Sequence, residues 1–279
     1  MVKFHKIEYN KLRDAFTLFG FIKKFEGKTL LIKPNWVYPE KQSCTDIRLI
    51  KEIVKFANLF NVKKVILAES GYIGLENVYE KLFGLKELEK KWDGFLEVRW
   101  LEKGDNKKAC HIEKLKQYES LAFVKIFDVV KEVDVILNVP KLKCHAMCRY
   151  TGAIKNMMGL MRAKGNMHPR ASEKILYRRL PDLYSFYKEN FDVYTIIDGI
   201  DGAEYAEVGG IQAHVGYLIE SDDMWEADVG ASRLIGMDPT WIKYLKNIGG
   251  HFNREDLFPP EVIPFEEALL YQEAPKYAK

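Results

Sequence analysis

Chemistry-bearing side chains gather in Pro140-Lys141-Leu142-Lys143-Cys144-His145. In an extended chain alternate residues point the same way, so Lys141, Lys143 and His145 project together. Two ammoniums and an imidazole on one side repel each other unless an anion or carboxylates lie between them. Lysines of this kind hold phosphate or carboxylate as point charges. The imidazole suits a general acid/base or a metal ligand. A solvated basic turn is the plain alternative. The apolar run 133–139 just before it and the glycines at 152 and 159 just after it favour a site.

The stretch Thr151-Gly-Ala-Ile-Lys155-Asn156-Met-Met-Gly159 places Ile154, Met157, Met158 and Met161 at helical spacing. It predicts a helix over 151–160, with Lys155 and Asn156 near its start, where backbone N–H groups attract anions.

Acidic partners lie far away in the chain. Residues 141–179 hold ten Lys or Arg and one acid, Glu173, whereas residues 189–232 hold eleven Asp or Glu and no Lys or Arg. Such blocks form either two solvated surfaces or the opposed walls of one cleft.

Short β-branched runs at 29–32, 64–68, 96–101, 133–139, 193–197 and 215–219 read as strands covered on both faces. Helical patterns lie at 46–61, 173–190 and 227–235. The alternation predicts an α/β fold, a mainly parallel, Rossmann-like sheet with helices on both faces. In such sheets ligands sit beyond the carboxyl ends of the strands. Polar residues closing these runs are therefore site candidates. Asp198 joins Lys141, Lys143 and His145 in the expected catalytic group. Lys155, Asn156, Asn35 and Lys33 are expected to bind substrate, and Glu69 and Asp228 to hold a divalent metal. Each acid or amide also has a structural reading: Asn35 as a turn cap, Asp198 as an Asx-turn, and Asp228 as a carboxylate at a helix start. Ser70 reads as a cap for the next helix. His168 falls in an expected exposed loop at 165–169, and His5, His111, His214 and His251 lack supporting context.

The motifs Lys33-Pro-Asn-Trp36, Ala68-Glu-Ser70, Pro140-Lys-x-Lys-x-His145, Thr151-Gly-Ala-Ile-Lys-Asn156-x-x-Gly159, Asp198-Gly-Ile and Ala227-Asp228 occur in this order. Together they resemble the domain of unknown function 362 family, from about residue 28 to about residue 250. The resemblance implies a fold but no settled activity. Many such proteins carry an added ferredoxin-like module. The four scattered cysteines here supply no cysteine cluster, so no iron–sulfur cluster is expected within the chain. Family members tend to have Glu-Gly-x-Gly-Pro after Asp-Gly-Ile; here the run is Ala203-Glu-Tyr-Ala-Glu207-Val-Gly-Gly210.

The bulk composition bounds the remaining choices. At 279 residues and 47% hydrophobic, the chain can bury a full core, and one domain over 1–279, with room for two lobes, is expected. A proline- and charge-bearing tail at 259–279 is expected on the surface. Four cysteines do not make a disulfide framework, and the N-terminus has no apolar signal core, so a cytoplasmic location without membrane contact is expected. Frequent charges and scarce Gln suit a thermophilic source. The motifs for phosphate loops, dinucleotide binding, zinc proteases and serine hydrolases are absent. A net charge of +3 and few interleaved aromatics argue against nucleic acid. The expected function is an enzyme binding a small anionic, phosphate- or carboxylate-bearing substrate. The alternatives are a non-catalytic protein for an acidic partner or nucleic acid, and an accessory to an iron–sulfur redox partner.

Overall fold

The computed structural model describes residues 1–7, 18–71, 74–162, 167 and 172–251. His168, most of the loop at 165–169 and the 259–279 tail lie outside the described residues, as does the side chain of His251.

Along the chain run β1 (Lys3–Lys6), β2 (Thr29–Pro34), α1 (Ile47–Leu59), β3 (Lys64–Glu69), α2 (Glu76–Phe83), α3 (Leu85–Lys91) and β4 (Leu96–Trp100). A small antiparallel pair, β5 (Cys110–Lys114) and β6 (Phe123–Phe127), follows. Next come β7 (Val135–Val139), β8 (Lys141–His145), β9 (Arg149–Thr151), α4 (Ala153–Asn156) and a 3-10 turn at Met157–Leu160. The chain continues with α5 (Glu173–Asn190), β10 (Val193–Glu204), β11 (Ile211–Ser221), α6 (Met224–Leu234) and α7 (Lys243–His251).

The main sheet has the order β1-β11-β10-β7-β2-β3-β4, with β8 pairing β10 and β9. The pairs from β10 through β7, β2 and β3 to β4 are parallel; β1, β11 and β9 pair antiparallel. The sheet is thus mixed but mostly parallel. Alternation along the strands divides the core. Leu31, Ile136 and Ile197 face a layer built on α4, α5, α6 and α7, while Leu30, Leu137 and Ile196 face a layer built on α1, α2 and α3. Helices cover both faces, as the apolar strand pattern predicts. No helix among the described residues is long and apolar enough to cross a membrane.

Several boundaries differ from the sequence reading. Thr151 is a strand residue, not helical, because it pairs with Lys143 across the β8–β9 hairpin. Helix α6 begins at Met224, not 227, since the Asp223 carboxylate caps it by accepting from the Trp225 and Glu226 amides. Ser70 caps no helix: its amide and hydroxyl both donate to Glu69 Oε1, and α2 starts at Glu76. Strand β10 does not stop at Asp198 but continues to Glu204 through a bulge between Gly199 and Asp201. Glycine at 199 permits this passage, because a Cβ there would lie 2.8 Å from the Tyr217 carbonyl oxygen.

Candidate functional site

Pro140 has no N–H for the ladder, so β7 ends at Val139. The chain stays extended beyond it. Its carbonyl accepts from the Asp198 amide at 2.8 Å, which hands β10 over from β7 to β8. Leu142 and Cys144 enter the apolar core, and Lys141, Lys143 and His145 take the opposite side, buried. The expected co-projection therefore holds, inside the protein rather than in solvent.

Each of the three meets a different environment. Lys141 Nζ donates to Asp198 Oδ2 at 3.0 Å, and the same oxygen accepts from the Asp46 amide at 2.7 Å. Asp198 Oδ1 takes the Ile200 amide at 3.1 Å, the local contact that an Asx-turn reading expects. Burial pushes the Asp198 carboxyl upward against the pull of Lys141. Lys143 is fully buried, yet its one hydrogen bond among the described residues is to the Ser43 carbonyl at 2.8 Å. Burial lowers its ammonium to about 7; Cys44 and Glu207 oppose this, while Lys155 and Lys141 add to it. The adjacent Cys44 thiol is pushed up to about 12 by burial and is therefore protonated and unreactive. His145 Nδ1 accepts from the Met147 and Cys148 amides at 3.0 and 3.3 Å. Its proton therefore sits on Nε2, which faces Glu207 Oε1 at 3.5 Å.

Both carboxylates expected to hold a metal accept from backbone amides and from a side chain of the protein. Glu69 Oε2 accepts from Lys33 Nζ at 2.8 Å and from the Trp36 amide at 3.0 Å, and Oε1 from the Ser70 and Gly71 amides. Lys33 also donates to the Pro34 carbonyl. Asp228 is not at the start of its own helix. From within α6 it accepts from the Ala153 and Ile154 amides and the Tyr150 hydroxyl, so it caps α4, which has no side-chain cap of its own. Burial raises its carboxyl to about 7 against those donors. The two acids stand at opposite ends of the 153–160 segment, one beside Gly152 and the other beside Gly159. Among the described residues no three His, Cys, Asp or Glu converge as a metal-ligand set.

The three asparagines form a buried chain. Asn138 Nδ2 donates to the Ala153 carbonyl at 2.9 Å; Asn156 Nδ2 donates to Asn138 Oδ1 at 2.8 Å and to the Lys33 carbonyl at 3.2 Å; Asn35 Nδ2 donates to Asn156 Oδ1 at 2.8 Å. Asn156 thus spends its amide on the protein. Lys155, half-buried on α4, acts electrostatically on Lys143 and Cys148. A cleft of about 510 Å³ opens beside this region, lined by Lys41, Thr45, Asp46, Arg48, Lys141 and Asp201 among others.

Sequence reasoning brings Lys141, Lys143, His145, Asp198, Lys155 and Asn35 to one neighbourhood. It misses Ser43, Cys44, Asp46, Thr151 and Glu207. Asp46 was visible as a helix start, and Glu207 as part of the altered acidic run. The Ser43 carbonyl carries no sequence signal. The remaining histidines His5, His111 and His214 each meet a carboxylate elsewhere, on Glu220, Asp128 and Asp201.

No curated protein matches the chain. Among solved structures, a crystal structure of a protein from Thermotoga maritima aligns with TM-score 0.50 at 14% identity, over 87% of this chain and 59% of that one. The lactate racemase apoprotein from Thermoanaerobacterium thermosaccharolyticum aligns with TM-score 0.43 at 17% identity, over 77% of this chain and 54% of that one. The chain thus spans little more than half the length of each, and the first likeness shows an α/β fold. A family model described as Domain of unknown function (DUF362) matches residues 30–233, a span that contains β8, α4, Asp198 and Asp228. By that match the chain belongs to the Domain of unknown function (DUF362) family.

Proposed function

We propose that the chain is an enzyme that binds a small anionic, phosphate- or carboxylate-bearing substrate beside Lys143 and moves a proton there. One observation carries this reading. Lys143 is a wholly buried amine held by a single neutral carbonyl, with Lys155 and Lys141 acting on it as further cations. A buried ammonium without a countercharge is costly. Lys141 has a carboxylate in direct contact, Asp198, whereas among the described residues no carboxylate hydrogen-bonds Lys143, and a substrate anion would supply that contact.

In this reading Lys143 and Lys155 hold the anion, and Lys141 marks the inner end of the cleft through which it enters. An amine titrating near 7 exchanges a proton readily at neutral pH, which suits Lys143 as a general acid or base. His145 offers Nε2–H, kept on that nitrogen by the two amides on Nδ1. Asp198 positions Lys141. Lys33 and Asn156, tied to protein groups, position the strand end and α4 and do not touch substrate. Burial of the lysine face also argues against a nucleic-acid partner at this site, because phosphates of a polymer cannot reach it.

Calorimetric titration with inorganic phosphate and with short carboxylates at low ionic strength tests the proposal. Wild-type protein should bind at least one of them, and Lys143→Gln should weaken that binding tenfold or more. Its melting temperature should hold or rise, since a buried charge is removed. Binding unchanged in Lys143→Gln, or no binding of any probe to the wild type, would sink the reading.

A further inference from the structure

The chain of asparagines has a direction, and that direction fixes which atom of Asn35 is left over. Amide oxygen and nitrogen are assigned from their partners. Here two backbone carbonyls, which can only accept, settle the matter. The Ala153 carbonyl requires Asn138 to present its NH2 there, leaving Asn138 Oδ1 as an acceptor. The Lys33 carbonyl requires the same of Asn156, whose NH2 also serves Asn138 Oδ1. Asn156 Oδ1 is thereby left to accept, and Asn35 must turn its NH2 towards it. Asn35 Oδ1 has no alternative orientation. It is buried and, among the described residues, has no hydrogen-bond partner.

An orphaned buried amide oxygen is costly, and a ligand donor is one way to satisfy it. A second orphan lies nearby. Thr151 Oγ1 is buried and without a partner among the described residues, and Thr151 is directly opposite Lys143 in the β8–β9 ladder, hence on the same side. Asn35 and Lys143 approach one short segment from two directions. The Asn35 backbone N–H donates to Thr45 Oγ1 at 2.7 Å, and Lys143 Nζ donates to the Ser43 carbonyl, two residues and so at most about 7 Å of chain away. Asn35 also reaches α4 through Asn156, and its neighbour Lys155 acts on Lys143. The ring Asn35, Asn156, Lys155, Lys143, Ser43 and Thr45 thus closes on itself.

Resting on the proposed anion site, we infer that its ligand carries a proton donor of its own beside the negative charge, and that Asn35 Oδ1 is the acceptor that selects it. The ring, with the Thr151 hydroxyl beside it, offers cations and a hydroxyl donor for anionic oxygens, together with one amide acceptor that an aprotic anion would leave unsatisfied. Two chemistries meet that requirement: an oxyanion that keeps an acidic O–H, and a carboxylate with a hydroxyl on the adjacent carbon. A site built to accept a hydrogen bond discriminates strongly against an analogue lacking the donor.

Matched pairs of anions test this, read by calorimetry at pH 6.5. Phosphate, protonated at that pH, is compared with sulfate, which has no proton; glycolate is compared with acetate. The donor-bearing member of at least one pair should bind at least tenfold tighter to wild-type protein, and the pair that shows the preference identifies the ligand chemistry. Asn35→Leu should reduce that ratio to near one by weakening the donor-bearing member alone. Thr151→Val, which keeps the shape of the side chain, should weaken both members together and leave the ratio intact. Equal binding of both members in both pairs would overturn the role of Asn35 while leaving the anion site standing. Failure of all four to bind would overturn the site itself. The wild-type comparison requires no variant, so the need for a donor on the ligand is decided even if Asn35→Leu does not fold, and a ratio unchanged in Thr151→Val then excludes the Thr151 hydroxyl as its acceptor.

Discussion

Lys143 and Asp228 carry opposite charges, yet burial brings both to titrate near the same pH. The lysine falls from 10.5 to about 7, chiefly through burial. Between those values the unfolded chain keeps a proton that the folded one has lost, so stability contributed by Lys143 rises with pH and is lost as pH falls through 7. Asp228 rises from 3.8 to about 7, again chiefly through burial. Between those values the folded chain keeps the proton, so its contribution is present below 3.8 and is lost as pH rises through 7. The two limbs meet near neutrality, each with a slope of at most about 1.4 kcal/mol per pH unit. Urea unfolding across a pH series should show Lys143→Met flattening the limb above 7 and Asp228→Asn the limb below it. A limb unmoved by its own substitution would assign that titration to another group. An anion bound to the charged lysine should also bind more tightly as pH falls towards 7.

At the level of elements, the segment from Gly152 to Gly159 is positioned by what its glycines avoid. A Cβ on Gly152 would sit 2.0 Å from Asp228 Oδ1 and 2.3 Å from the Tyr150 hydroxyl, groups that are themselves bonded to each other at 3.2 Å. A Cβ on Gly159 would meet Lys33 Cε at 2.5 Å, the far end of a flexible chain. Gly152→Ala should therefore cost about 3 kcal/mol, the upper end for overpacking, and Gly159→Ala about 1 kcal/mol. Equal shifts of the urea midpoint in the two variants would contradict this account of α4. The glycines themselves were legible in the sequence; their reason was not. Helix α5 was legible to the residue, because its apolar spacing runs through eighteen residues. The end of β10 was not, because Gly199 and Gly202 read as a turn where the structure makes a bulge. Asp228 was picked out, but for a metal, since nothing local shows that its partners are amides about 75 residues away.

For the molecule as a whole, the opposed basic and acidic blocks visible in the sequence do meet at Lys141–Asp198 and His145–Glu207. Parallel pairing of β8 with β10 brings them together. What the blocks could not reveal is that Lys143 is left out of the pairing, because the Ser43 carbonyl that receives it lies a hundred residues earlier, at the end of a short 3-10 turn over Lys41–Ser43. The extended chain past Pro140 also limits how this protein can change. Its interior and its polar chamber are written on alternate letters of the same five-residue word. Adding or dropping one letter after Pro140 would push two amines into the oily layer and turn Leu142 and Cys144 towards Ser43 and Asp198. Length in this connector can drift only by twos, so the reactive chamber and the fold stand or fall together.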